Sequence, residues 1–263
     1  MLYNLQDTDI PKEYRILHVK SGYRWHGNYK DCMLSLFKWH NEILNIWSMI
    51  VMNITSFMLL RTYTVYYQLN LIPFYLLYIS SLIHLPFSVG YHLFLPIDKV
   101  NEQWYKLDIS FIFISVSLIV FAMSYYVLPT IYILFLLTIV SIFSLTCIYN
   151  ITISPRCCKK GTNAKYVSVI TSFMFVPIVY QICIEYPNHY EILGISSCIL
   201  FSLICGVISY TNPLIQKKLN MLSMDIAHTV MHVMVLVAHI FEYIFILHVL
   251  QYNTIQHNTL HIT

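Results

Sequence analysis

The sequence has 263 residues, of which 58% are hydrophobic and only 10% are charged, and its mean hydropathy is +0.64. Soluble domains are about half apolar and about one quarter charged, so this composition excludes an ordinary soluble globular protein and indicates an integral membrane protein. The formal net charge of +3 arises from unevenly charged loops and gives no reason to expect a nucleic-acid partner. The first 44 residues lack the short apolar run of a cleavable signal peptide, so we expect the N-terminus to be retained.

Seven apolar stretches are long enough to cross a membrane, since a spanning helix needs about 20 mostly apolar residues. They cover residues 46–66, 72–95, 107–127, 129–149, 165–184, 191–210 and 225–249. The division around Leu128 and Pro129 is open between a kink and a turn. We predict an all-α fold, a seven-transmembrane helix bundle. Residues 1–45 form an N-terminal segment, residues 46–249 form the transmembrane domain, and residues 250–263 form a tail.

The loop charges predict the orientation in the membrane. Every Lys and Arg except Arg61 falls in the N-terminal segment or in the second, fourth and sixth loops. Because basic residues of short loops are retained on the cytoplasmic side, we expect a cytoplasmic N-terminus and an extracellular or lumenal C-terminus.

Four metal-binding or acid-base side chains fall at one predicted depth. His92 lies about 20 residues into the second span, roughly 30 Å at 1.5 Å per residue, and therefore near the cytoplasmic boundary. Asp108 begins the third span, and His228 and His232 lie in the first two turns of the seventh. The spacing of His228 and His232 places both on one helix face, where they can reach one ion. The sequence thus predicts a layer of functional groups near the inner leaflet.

The chemistry that suits these groups is that of zinc. Three histidines with an open fourth position for water form a common catalytic arrangement. Asp108 is then the candidate base, and Ser88, one turn from His92, is a candidate hydrogen-bonding partner of the water or of a substrate carbonyl. The alternative interpretation is that each histidine bonds a neighbouring helix and that Asp108 is an ordinary interfacial residue.

Two further polar features are predicted from the pattern. Residues 32–47 read as a short amphipathic helix at the cytoplasmic interface, with Glu42 and Asn45 fastening it to the loop beneath the metal site. Arg61 and Glu242 lie at similar heights in the first and seventh spans, which suggests an ion pair between them, unless Arg61 extends to the outer interface.

The residues at these positions resemble the progestin and adipoQ receptor family, which also includes hemolysin-III-like proteins. The resemblance is carried by "SGYR" at 21–24, "CMLSLFKWHNEILNIW" at 32–47, Ser88-x-x-x-His92, "LD" at 107–108 and His228-x-x-x-His232. Within the family, the sequences of these motifs are most similar to those of the adiponectin receptors. The resemblance implies that His92, His228 and His232 are zinc ligands, that Asp108 holds the zinc-bound water, and that Ser88 neighbours it.

The chain also departs from the pattern of that family. Met49 stands where the family usually has a histidine, and "NPLIQKKLNMLS" replaces the Pro-Glu-Arg and Pro-Gly elements before the last span. Ala227-His228-Thr229 replaces the common Ser-His-Gln. The three ligands themselves are intact, so the zinc prediction is retained.

The resemblance implies a membrane receptor with an intramembrane zinc site and ceramidase-like hydrolysis of a lipid amide. One alternative is a receptor for a steroid or protein hormone in which zinc is structural. A second is a membrane scaffold with a vestigial site. We expect a ceramide-like lipid as substrate or ligand and a plasma-membrane, Golgi or endoplasmic-reticulum location, and homo-oligomer formation is left open.

Overall fold

Seven helical spans dominate the computed structural model, which describes residues 1–66, 71–98, 100–153, 160–186, 190–220 and 223–260. Within these residues, the helices long and apolar enough to cross a membrane are Ile43–Val65, Ile72–Phe94, Asn101–Ser124, Thr130–Ile153, Asn163–Glu185, Tyr190–Thr211 and Ile226–Ile255. Helices suit this setting because each backbone polar group is satisfied within its own segment. The all-α seven-transmembrane prediction and the multi-pass integral membrane location are therefore confirmed.

The elements follow one another in a simple order. The strands are β1 (Leu2–Leu5) and β2 (Tyr23–Trp25), and the helices are α1 (Tyr29–Leu34), α2 (Ile43–Tyr66), α3 (Ile72–Phe94), α4 (Asn101–Ser124), α5 (Thr130–Ile153), α6 (Lys160–Ser172), α7 (Phe175–Glu185), α8 (Tyr190–Thr211), α9 (Pro213–Leu219) and α10 (Ile226–Leu260). Helix α4 begins six residues before the predicted span, because a helix can continue into polar residues beyond the apolar core. Helix α10 likewise extends into residues expected to form a tail, and residues 261–263 lie outside the described part.

Two interruptions have local causes. The chain turns between α4 and α5, with the Val127 N–H donating to the Ser124 carbonyl at 3.1 Å, so Pro129 ends a turn rather than kinking one helix. The fifth span is divided between α6 and α7, where the N–H groups of Phe173 and Met174 bond carbonyls three residues earlier. Such tight turns keep the backbone groups paired across the break.

The N-terminal segment has more structure than the sequence predicted. β1 and β2 pair antiparallel, with Leu2 opposite Trp25. The predicted amphipathic helix over residues 32–47 is not continuous, because the backbone from Lys38 to Glu42 is not helical and separates α1 from α2. Gly22 precedes β2 at φ +81°, and a Cβ there would lie 2.7 Å from the Ser223 carbonyl oxygen, which explains the glycine of "SGYR".

The chain divides into two compact units. The first consists of Met1–Ile54, Leu82–Ile112 and Leu203–Leu236, and it contains every residue predicted to form the site. Its buried apolar residues include Ile46, Cys32 and Leu93, which pack in one cluster.

The second unit consists of Thr55–Ser81, Phe113–Ser202 and Val237–Thr263. In its core the Ser56 hydroxyl lies 3.0 Å from His239 Nε2, and His239 Nδ1 lies 2.8 Å from Glu242 Oε2. Arg61 is exposed and Glu242 is buried against His239, so the predicted pairing of Arg61 with Glu242 is wrong. The imidazole supplies Glu242 with a polar partner at the same depth, and the long arginine side chain faces outward instead.

We predict that Gly90→Ala destabilises the protein. A Cβ at Gly90 would lie 2.3 Å from the ring of Trp104, and such overpacking costs about 1–3 kcal/mol. Gly194→Ala is the matched control, because a Cβ at that helical glycine meets no atom within 4 Å. Thermal unfolding in detergent should give a lower Tm for Gly90→Ala than for Gly194→Ala. Equal Tm values would show that Trp104 does not require the glycine.

Candidate metal centre

His92, His228 and His232 lie together in the first unit. One ring nitrogen of each can be chosen so that all three lie within 4.8 Å of one another. The ring centroids are 4.8 Å apart for His92 and His228, 5.5 Å for His92 and His232, and 4.7 Å for His228 and His232. His92 and His232 are buried, with 1% and 6% of their surfaces exposed. The structure thus brings together the three histidines that the sequence selected.

The start of α10 places two of these histidines. Asp225 precedes the helix and accepts a hydrogen bond from the His228 backbone N–H at 3.3 Å, as an N-terminal cap does. His232 follows one turn later, so the two rings stack on one face at an interplanar angle of 25°. His92 comes from the last turn of α3.

The ring nitrogens that are bonded to other residues, the remote nitrogens, determine which nitrogens remain for a metal. His92 Nδ1 lies 2.8 Å from Glu42 Oε2, and His232 Nδ1 lies 2.8 Å from the sulfur of Met49. His92 Nε2 and His232 Nε2 are buried and have no hydrogen-bond partner among the described residues. Buried polar atoms are rarely left unpaired, because the loss of hydration is then uncompensated. Two such nitrogens in one cluster fit a bound cation.

The donor set fits zinc. Zn–N distances are about 2.0–2.1 Å, so two nitrogens on one ion lie no more than about 4.2 Å apart. The histidine nitrogens lie within 4.8 Å of one another, so binding one ion would bring them closer together. Three imidazoles leave one tetrahedral position for a water or a substrate.

Glu42 is the centre of a buried hydrogen-bond network around His92. Asn45 Nδ2 donates to Glu42 Oε2 at 2.8 Å, and Asn41 Nδ2 lies 3.3 Å from Oε1. Burial by itself would raise the pKa of Glu42, but the hydrogen bond and charge of His92 outweigh it and hold the pKa well below its usual range. Oδ1 of the Asn45 side chain accepts a hydrogen bond from the Thr229 hydroxyl at 2.7 Å. Glu42 therefore contacts a candidate metal ligand directly, and Asn45 ties the start of α2 to α10.

Arg24 supports His92 from the backbone side. Its guanidinium donates to the His92 carbonyl at 3.0 Å and also to the Ser35 hydroxyl. Burial lowers the pKa of Arg24 to about 10, so the group keeps its charge at neutral pH. Burial, with the nearby charge of Arg24, lowers the pKa of His40 to about 3 and leaves that imidazole neutral. The arginine of "SGYR" is thus part of the support of the centre.

Asp108 and Ser88 lie in the same unit as the histidines. Asp108 Oδ1 lies 2.9 Å from His84 Nε2. Ser88 is buried one helical turn before His92. Their place beside the three histidines and their roles in catalysis stay predictions.

Sequence reasoning missed the contacts of His84, Met49 and Arg24. His84 precedes Ser88 by four residues, as Ser88 precedes His92, and that repeated spacing was a usable signal. Met49 stands where the family usually has a histidine, but no pattern in the sequence indicates that its sulfur lies against His232. Arg24 carries no signal of burial, since it stands in a polar segment outside the spans.

Most of the chain is similar to one family of known proteins. No curated protein sequence matches it. The family model described as haemolysin-III related matches residues 37–243, a range that includes Glu42, Asp108 and all three histidines. This confirms the resemblance drawn from the motifs, and the finer likeness to the adiponectin receptors stays a prediction. The chain is a member of the haemolysin-III-related family, the family of the progestin and adipoQ receptors.

Proposed function

We propose that His92, His228 and His232 bind a zinc ion and that this centre hydrolyses the amide bond of a ceramide-like lipid. The observation that carries the proposal is the pair of buried, unpartnered Nε2 atoms of His92 and His232 within one three-histidine cluster. A histidine in hydrocarbon is costly and usually serves a site. Three imidazoles with one open position favour catalytic over closed structural zinc sites, which use four protein ligands.

The residues of the chain would have three roles, which are metal binding, orientation of a metal ligand and proton transfer. When bound, zinc supplies Lewis acidity that activates a water and polarises an amide carbonyl. Glu42 holds His92 through Nδ1 and so presents Nε2 to the ion. Asp108 supplies a carboxylate that accepts the proton released by the attacking water and returns it to the leaving amine. Ser88 would donate its hydroxyl hydrogen to the substrate carbonyl.

The lipid class follows from the depth of the centre. The three histidines lie in the last turn of α3 and the first two turns of α10, near the ends of two apolar spans. An amide at headgroup depth, with its chains in the hydrocarbon, is the substrate that such a depth suits. The charge asymmetry of the loops supports the cytoplasmic leaflet as the side of attack.

A receptor with structural zinc is the second candidate, and the outer contacts of the ligands favour it. Glu42 precedes α2, His92 lies on α3 and His228 lies on α10, so one ion would cross-link these segments. A steroid or protein hormone would then act by changing their packing. A scaffold with a vestigial site is the outcome if no metal is bound.

We predict that Asp108→Asn slows hydrolysis strongly and leaves zinc bound. Loss of the proton acceptor should lower kcat for a ceramide by about 10²–10⁴-fold, the usual contribution of general acid-base catalysis. His92→Ala should lose both zinc and turnover. Asp98→Asn is the matched control, because Asp98 is half exposed beside His26. Zinc content and ceramide turnover of purified protein test this, and wild-type turnover in Asp108→Asn would contradict the catalytic role.

We predict that Glu42→Gln weakens zinc binding. Glutamine keeps the shape of the side chain but removes the charge that stabilises the Nδ1–H of His92, and such outer contacts are worth about 10–100-fold in metal affinity. Glu102→Gln is the control, since Glu102 is exposed and pairs with Lys106. Competition with a chelator of known affinity measures the change. Equal affinities for the two variants would show that Glu42 does not support the ligand.

A further inference from the structure

His84 lies on α3 two turns before His92 and belongs to none of the roles assigned above. His84, Ser88 and His92 follow one another at steps of four residues, so they share a stripe along one side of α3. The side chain of His84 is 13% exposed, as is that of Asp108. The stripe ends at His92 in the candidate metal centre, so the mostly buried imidazole of His84 on the same stripe requires an explanation.

The partner of His84 is the candidate catalytic carboxylate. His84 Nε2 lies 2.9 Å from Asp108 Oδ1, the distance of a charge-assisted hydrogen bond. The contact joins α3 to α4, which also meet where Phe87 and Phe111 stack with ring centroids 3.6 Å apart. The two helices are therefore also in contact three residues beyond the bond on each of them.

The bond matters because an aspartate carboxylate turns easily. The terminal torsion of aspartate is broad, so an unsupported carboxylate samples many orientations. A hydrogen bond on Oδ1 selects one orientation and leaves the lone pairs of Oδ2 for a second partner. His84 lies on the side of α3 that also carries Ser88 and His92, so the carboxylate that bonds His84 lies against the side of α3 from which His92 enters the histidine cluster.

We propose that His84 is a positioning residue that acts through Asp108, orienting its free oxygen toward the fourth position of the metal centre. The inference deepens the proposed function and rests on it for the chemistry. The orienting role itself concerns the surroundings of the metal and exists whether or not an amide is hydrolysed. Nε2–H of His84 donates, Asp108 Oδ1 accepts, and no proton needs to leave His84.

The experiment compares His84→Leu, His84→Gln, Asp108→Asn and the double variant His84→Leu/Asp108→Asn. Each protein is loaded with cobalt(II), whose visible absorption reports the ligands and geometry at the metal. Leucine removes the donor, whereas the glutamine amide can still donate to Asp108. The control is His239→Leu, which removes a buried histidine bonded to Glu242 in the second unit.

If His84 acts through Asp108, His84→Leu and Asp108→Asn shift the cobalt spectrum in the same direction, and the double variant shifts no further. His84→Gln keeps the wild-type spectrum, and His239→Leu keeps it even with a lower Tm. A wild-type spectrum for His84→Leu, or additive shifts in the double variant, would overturn the inference. A merely structural histidine would lower Tm without moving the spectrum.

Turnover separates this inference from the function on which it builds. With a ceramide as probe, His84→Leu should lower kcat by about 10–100-fold with KM nearly unchanged, and should cost nothing more when Asp108 is already asparagine. If the wild type hydrolyses no amide but the cobalt spectra behave as described, the hydrolase proposal fails and the positioning role stands. If the wild type hydrolyses and His84→Leu has the wild-type kcat, the positioning role is wrong.

Discussion

The structure of the first unit depends on the hydrogen bond between Glu42 and His92. A carboxylate and an imidazole buried this deeply are costly to desolvate, and they persist only when each satisfies the other. The 2.8 Å contact does so, and it also settles which nitrogen of His92 faces the cluster. Because Nδ1 is bonded to Glu42, the buried Nε2 is left unpaired among the described residues. A bound cation would supply the missing partner. The same contact therefore supports His92 and leaves its Nε2 available to a metal.

The remaining contacts extend this constraint through the segments that the cluster needs. Asn45 bonds both Glu42 and Thr229, so the start of α2 is tied to the helix that carries the other two histidines. Arg24 bonds the His92 carbonyl from the N-terminal segment. Met49 contributes differently, since a thioether is a weak acceptor, and the remote nitrogen of His232 is held less firmly than that of His92. The site is therefore supported unevenly, most strongly at His92.

Much of this arrangement could be predicted from the sequence. The lengths of the apolar stretches predicted the seven spans, because a single segment in lipid pairs its own backbone polar groups only as a helix. Depth and the four-residue spacing of His228 and His232 placed the three histidines together before any contact was known. The helix spacing of α3 also put Ser88 beside His92.

The wrong predictions share one cause: composition and depth do not show which side chains contact each other. Glu42 was expected to fasten the amphipathic helix to the loop beneath the metal site, whereas it is buried against His92. Arg61 was paired with Glu242 by depth alone, although His239 stands nearer to that carboxylate along the same helix. The non-helical stretch at Lys38–Glu42 also escaped prediction, because the residues around it keep a helical pattern. Such contacts depend on rotations of helices about their axes, which hydropathy does not encode.

X-ray absorption at the zinc edge of the purified protein tests directly whether three histidine nitrogens bind one zinc ion with a fourth position open. We expect about one zinc per chain, bound by three nitrogens and one further light atom at about 2.0–2.1 Å, with imidazole scattering from three rings. Sulfur bound to the zinc at about 2.3 Å, or a folded protein that binds no zinc, would contradict this arrangement.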